Sequence, residues 1–571
     1  MKKIRILILS IVLMIPGSAL FAQVPSQQGI SGQEQTRKMQ EEEDALRKKI
    51  EKEREKPVIE EKEIPPPTPS LAEEKTPIKR IQVTGVTLIS EKEINKVTAQ
   101  FENKELTFAD MKKAANMITD IFRQKGYITS RAYVPPQKIK DGLLQIKALE
   151  GLMGDLEVKG NRYFKTSIIK KKISLIKGAI FNYNTLRKNL TRINQHPDRA
   201  AKAILKPGKE PGTTDVILEV KDRLPIHAGF NYDNFGSRYI SKDRYSMQVT
   251  HNNLFGLDDS LTFQYQLAQH SRYFLKNLRY LLPLAGDWQF GLSAAFSRVK
   301  LGEDYEDSDV RGKSKLYGIF ANKPLIDLEN FSLGLNLGFD YKDITNYQQQ
   351  VVSSRDSLRV AKLGFDIDLS DNLGGRNLIS HEVNVGMADI MGGLKQHDSK
   401  ASRNGAGGKF TKNIINLFRL QKMPFSSNLL FKNQIQLSSY ILPASEQFQI
   451  GGIANVRGYP PAEAVGDKGY AWTLEWSFPL YPVPKVIKVP FSSAKLYDAL
   501  KVAIFYDWAN ARLRRPSATE EKSKTLRAVG YGFRFNLPED FSLRLDFGWP
   551  LDNTPADSDH MHTWFQVSKT F

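Results

Sequence analysis

Arg457 stands midway along a glycine- and proline-rich run, 449–469, that reads QIGGIANVRGYPPAEAVGDKG. A guanidinium is charged at every physiological pH and can grip a carboxylate with two parallel hydrogen bonds. The chemistry on offer is therefore ion pairing, and two carboxylates stand close by in the segments that follow. Glu475 lies in YAWTLEWSFPL, where Tyr470, Trp472, Leu474, Trp476, Phe478 and Leu480 share one face. Ala471, Thr473, Glu475 and Ser477 take the other. Asp507 lies in ALKVAIFYDWA, on a face with Lys501, Ala503 and Phe505. Successive side chains of a strand point to opposite faces, so each segment presents one carboxylate on its polar side. Two arrangements are open. In one, the glycine-rich loop folds over the polar faces and Arg457 meets Glu475, Asp507 or both; Gly458 then allows a tight turn and Tyr459 packs near Phe505. In the other, the loop is exposed and Arg457 is solvated.

Little else in the chain suggests chemistry. There are eight histidines and no cysteine. His560 and His562 lie beside Asp557 and Asp559, but a place at the end of a strand reads as solvated charge. No clustered Ser, His and Asp, no paired carboxylates placed for proton transfer and no metal-ligand spacing stand out. There is no nucleotide motif. An enzyme is not expected, nor a cofactor or a metal.

The elements that must hold Arg457 and its partners are strands. After residue 222 helical periodicity gives way to period two. DWQFGLSAAF alternates Trp288, Phe290, Leu292, Ala294 and Phe296 with Gln289, Gly291, Ser293 and Ala295. FSLGLNLGFDY and FSLRLDFGW behave alike, the latter setting Ser542, Arg544, Asp546 and Gly548 against an apolar face. One face suits lipid, the other a wet lumen, and aromatics gather at strand ends. A sheet in a bilayer must close, because open edges leave backbone groups unpaired. Residues 223–571 are thus expected to form an all-β, antiparallel transmembrane barrel of sixteen strands of about ten residues each. The expected starts are Ile226, Arg244, Ser260, Arg272, Trp288, Ser314, Phe331, Leu358, Ser380, Lys412, Asn428, Tyr470, Lys501, Arg527, Phe541 and Met561.

The first 222 residues read differently. Lys2, Lys3 and Arg5, an apolar run at 6–15 and small residues up to Ala22 make residues 1–22 an expected signal peptide. An exported, cysteine-free chain needs no disulfides and is not anchored through a lipidated cysteine. The net charge is +19, or +16 without the three signal cations, and an exported chain has lipid headgroups or polypeptide as partners rather than nucleic acid. Residues 23–56 include a charged helix whose stripe of Met39, Leu46 and Ile50 is too thin to seat it on a large core. It is either a solvated helix or a docked, removable element. A stiff Pro-rich linker follows at 57–77. Residues 78–150 and 151–222 are two copies of one module: IQVTGVTLIS returns as LEVKGNRYFK at an offset of 75. Each reads strand, two helices, two strands (βααββ, α+β). In the first, Thr107 caps a helix whose apolar face is Phe108, Met111, Ala115, Ile118 and Phe122. An exposed strand edge in such a module allows a polypeptide to bind by strand addition.

NVRGYPP, that is Val456, Arg457, Gly458 and Tyr459 with their flanks, resembles the loop-tip motif of the Omp85 superfamily. FYDWA resembles that superfamily's strand motif, with Ala509 where the family usually has glycine. ALEGLMGDLEVKGN, PGKEPGTTDVILEV and FNYDNFGSRYIS with NNLFGLDDSLTFQY resemble the junction of two POTRA domains, the end of the second and the entry to the barrel. The whole arrangement is similar to the two-partner secretion transporters, the haemolysin and filamentous haemagglutinin exporters. The resemblance covers nearly everything after the signal. It implies an inserted loop at 442–469 whose Arg457 pairs with Asp507. It further implies periplasmic POTRA domains, a plug-like helix at 23–56 and an outer-membrane channel that passes an unfolded exoprotein to the surface. The terminal Phe571 is similar to the signal by which the barrel assembly machinery recognises outer-membrane barrels. The alternative is an assembly factor that inserts other barrels; such factors usually carry more than two repeats.

Overall fold

The computed structural model describes residues 59–61 and 75–571, except positions 329, 519, 539 and 553. The expected signal peptide, the charged helix and most of the linker lie outside the described residues. The described residues before 226 form one compact unit, and residues 226–571 another.

In the first repeat, Ser90 and Thr107 cap the helices Glu91–Thr98 and Phe108–Gln124, each through a reciprocal bond pair with the acid three residues on, Glu93 and Asp110. Arg80–Thr84 pairs parallel with Leu143–Leu149, which pairs antiparallel with Arg131–Tyr133. Met111, Ala114, Ala115, Ile118 and Phe122 bury one helix face against Ile81, Leu144 and Ile146. Phe108, expected on that face, is 47% exposed, and the Lys112 ammonium sits 5.1 Å from its ring centroid. The buried stripe begins a turn later, at Met111, and takes in Ala114. The second repeat places Leu186, Leu190 and Ile193 of the helix Tyr183–Asn194 on a sheet of Leu152–Lys159, Arg199–Pro207 and Thr213–Asp222.

Part of the expected linker is ordered as strand. Ile59–Glu61 pairs parallel with Ala203–Leu205 and becomes the edge of the second repeat's sheet. Thr76–Ile78 pairs with Lys104–Leu106. The Pro-rich composition hid both, because neither run is long enough to alternate.

The second unit is a closed barrel of sixteen antiparallel strands, the first, Ile226–Asp233, pairing with the last, His562–Thr570. All sixteen expected strands are present. The sixth to eighth, Arg311–Asp327, Phe331–Gln348 and Val351–Ser370, are far longer than the expected ten or so residues, and the eighth begins at Val351 rather than near Leu358. Beyond the apolar stretch they carry polar side chains on both faces, so the period-two signal fades while backbone pairing continues. Gln349 and Gln350 close the seventh and eighth strands in a two-residue hairpin, both at positive φ, as a turn matched to strand twist requires.

Candidate functional gate in the barrel lumen

The connection 439–467 between the eleventh strand, Ser427–Ser438, and the twelfth, Lys468–Pro479, builds the site together with the inner wall. Phe448–Ile450 and Ala464–Gly466 pair as a short hairpin inside the loop. Beyond it, the Asn455 amide ties the tip to itself, accepting from Gly451 N at 2.8 Å and donating to Gln449 O at 2.9 Å. The loop lies inside the barrel: Phe448, Ile450, Val456 and Tyr459 are buried with Ala471, Ala509, Ala511, Leu526 and Ala528 of the wall.

Arg457 is 2% exposed. Its Nε and Nη2 donate to the two oxygens of Asp507, each at 2.8 Å, and its backbone N–H reaches Oδ2 at 3.1 Å. Nη1 donates to Glu475 Oε2 at 2.7 Å. The guanidinium carbon lies 3.3 Å from the Phe505 ring centroid, a cation–π contact. Trp564 Nε1 donates to the Arg457 carbonyl at 2.7 Å. Of the two arrangements left open by alternation, this is the inserted one. A buried charge needs such complete pairing, because its desolvation costs several kcal/mol.

Two expected details differ. Gly458 is needed for close approach rather than for a turn: a Cβ there would stand 2.7 Å from Pro550 N and 2.8 Å from Ala528 Cβ. Gly548 serves the same seat, since its Cβ would meet the Arg457 carbonyl oxygen at 2.4 Å. Tyr459 lies with Phe448, Val456, Ala509 and Ala528, and its hydroxyl accepts from Asp552 N at 3.2 Å; the guanidinium covers Phe505 instead. Ala509, in the place of the usual glycine, is buried in that cluster.

Several residues of the site escaped the sequence reading. Asp546 accepts from Arg534 Nη1 at 2.6 Å and Arg544 Nε at 2.7 Å and lies 3.7 Å from Arg457 Nη1; Arg534 also reaches Glu475 at 3.0 Å. Three arginines and three carboxylates thus interlock. Inward alternation marked Arg544 and Asp546, but only the register of the fourteenth and fifteenth strands brings them beside Arg534, which reaches Glu475. At the root of the loop, Glu446 is 1% exposed and accepts from Lys342 at 2.9 Å and Lys412 at 2.5 Å, on a different arc of the wall. Asp467 binds Arg403 Nη1 at 2.6 Å, Leu442 N at 2.7 Å and Arg514 N at 2.7 Å, joining three outer loops. Nothing in LPASEQF marked Glu446, whose neighbours Ser445 and Gln447 are themselves polar.

Phe571 lies away from the inserted loop, at the seam where the first and last strands meet. Its N–H donates to Ala228 O at 2.8 Å and its ring meets Phe230 edge-on. Only five residues of each strand pair there, Gly229–Asp233 with Gln566–Thr570. His562, expected to be solvated, is 7% exposed; strand sixteen begins there, stacking its ring on Trp564 and bringing Nε2 to 2.9 Å from Asp557. Asp557, Asp559 and His562 hold donor atoms within 4.8 Å of one another, with Lys242 3.7 Å from Asp559.

The family model described as haemolysin secretion/activation protein ShlB/FhaC/HecB matches residues 212–502, more than half of the chain. The chain belongs to the ShlB/FhaC/HecB family. A POTRA domain of ShlB type matches residues 76–151. Among relatives, the heme/hemopexin transporter protein HuxB of Haemophilus influenzae strain 86-028NP is 26% identical over 494 residues, 84% of each chain. The fold is that of CdiB from Escherichia coli, with a TM-score of 0.72 at 20% identity over 96% of this chain and 99% of that one. BamA from Haemophilus ducreyi, solved without POTRA domains 1–3, shares it at a TM-score of 0.54 and 15% identity, over 87% of this chain and 100% of that one. As a member of this family of transporters, the protein is an outer-membrane β-barrel with periplasmic POTRA domains, and it works with a secreted exoprotein.

Proposed function

We propose that the protein exports one polypeptide partner, with the loop carrying Arg457 as the gate. The observation that carries this reading is the buried lock of Arg457 on Asp507 and Glu475, in a barrel whose family consists of secretion transporters. The partner arrives unfolded in the periplasm and the repeats at 78–150 and 151–222 bind it. Strand addition to Arg199–Pro207 requires displacement of Ile59–Glu61, so binding and release of the segment after the expected plug at 23–56 are coupled. A partner opens the lumen only in so far as it binds the open state better than the closed one. Export then draws on binding and on folding outside. Residues 1–22 are removed as a signal, Phe571 addresses the chain to the barrel assembly machinery, and outer-membrane lipid surrounds the strands. No catalytic step, cofactor or nucleic acid is part of this reading.

The test is a comparison of the proteomes of the medium and the outer membrane with and without the gene. Loss of one large protein from the medium, with the membrane profile unchanged, supports a dedicated exporter and names the partner. Broad loss of barrels from the membrane replaces it with the assembly factor.

A further inference from the structure

The connections on the side of the barrel where the first strand begins are short, with one exception. The turns at 252–259, 284–288, 328–330, 371–374, 424–426 and 538–540 have at most eight residues, whereas 480–499 has twenty. That segment is a finger. Val489 N donates to Ala494 O at 2.9 Å and Leu496 N to Ile487 O at 2.8 Å, with Lys488 and Lys495 bridged between them. At its tip Phe491 sits at φ 61° and is fully exposed. A bulky residue at positive φ is strained, and a bare aromatic ring in water forgoes its hydrophobic gain. Val486 is 82% exposed, and Lys485, Lys488 and Lys495 are exposed against a single acid, Asp498.

The base of the finger continues the lipid-facing wall. The Tyr481 ring stacks on Phe478, on the outer face of the twelfth strand, at 5.9 Å and 6°, and its hydroxyl donates to Phe425 O at 3.3 Å. Phe425, at the tip of the neighbouring turn, is itself 82% exposed. Exposed apolar rings interleaved with lysines are the make-up of a segment that lies in a membrane interface, with rings at the acyl boundary and ammonium groups among phosphates. We propose that the finger 480–499, with Phe425 beside it, inserts into the periplasmic leaflet of the outer membrane and binds anionic phospholipid headgroups through Lys485, Lys488 and Lys495. A translocating polypeptide fits less well, because the base of the finger shares the outer, lipid-facing surface and not the lumen.

The absence of cysteine makes the test direct. Ser493→Cys in the full chain keeps every residue of the proposal and takes one nitrobenzoxadiazole label. In nanodiscs of phosphatidylethanolamine and phosphatidylglycerol, nitroxide at acyl carbon 5 is expected to quench that label at least about twofold, and not one on Lys138→Cys in the first repeat. Adding Phe491→Ser should abolish most of the quenching. Changing Lys485, Lys488 and Lys495 to Gln should remove its dependence on phosphatidylglycerol. A Ser493 label that lipid nitroxide leaves untouched and aqueous iodide quenches as freely as the control overturns the proposal. So does a photo-crosslinker at 493 that captures a polypeptide in transit rather than lipid.

Discussion

At the scale of single residues, the proposed gate rests on a charge that is almost wholly buried. Arg457→Ala leaves Asp507 and Glu475 buried with their main partner gone, a change that costs about 3–5 kcal/mol in buried pairs. Export is expected to fall to background while the barrel still assembles, read as partner in the medium against heat-modifiable barrel in the membrane. Export at wild-type level would show that the pairing is not central. Arg457→Lys keeps the charge but cannot fork onto both oxygens of Asp507, so it should fall between wild type and alanine. Gly458→Ala adds a single methyl against the Pro550 and Ala528 seat, and should impair export as Arg457→Ala does without changing any charge. Alternation turned Glu475 and Asp507 inward but left the place of the loop open, and the resemblance of NVRGYPP and FYDWA to family motifs is what implied the pairing with Asp507. The bridge by which Arg534 joins Asp546 to Glu475 was not legible, since it depends on the stagger between strands, which one sequence does not carry.

At the scale of elements, legibility followed periodicity. The barrel strands announced themselves by a strict apolar alternation and began close to where it began. The outer extensions of the sixth to eighth strands, polar on both faces, were silent. So was Ile59–Glu61, a three-residue strand whose partner lies far along the chain. The Thr107 cap was legible from local spacing; the Ser90 cap, with Glu93 three residues on, was not read, and it is pH-sensitive. Glu93 is held down to about 2 by the bond from Lys125, then by those from Ser90. Its folded pKa is below the ordinary 4.5, so the stabilisation is complete above 4.5 and lost as pH falls through about 2. Amide exchange of the helix Glu91–Thr98 in the full chain, corrected for intrinsic rates, is expected to rise across that window, and Glu93→Gln should flatten the response. An unchanged profile in Glu93→Gln would assign the acid sensitivity elsewhere.

At the scale of the whole barrel, the inserted loop is fastened twice. Its tip is locked on the twelfth, thirteenth and fifteenth strands through Arg457, and its root on the seventh and tenth through Glu446 with Lys342 and Lys412. Fasteners on two arcs of one wall make the loop a strut across the lumen, and either alone should hold most of it in place. Glu446→Gln weakens two buried ion pairs but keeps a side chain of the same shape, so on its own it should raise pore conductance only slightly. Combined with Arg457→Ala, the same change frees both ends of one segment. The double variant is therefore expected to conduct far more than the two single effects add up to, because residues that hold one element are coupled. Single-channel recording in planar bilayers, with sensitivity of cells to a large antibiotic as a second reading, measures this coupling. Conductances that merely add would mean that root and tip move independently, and the loop would then be a hinged flap fixed at its root.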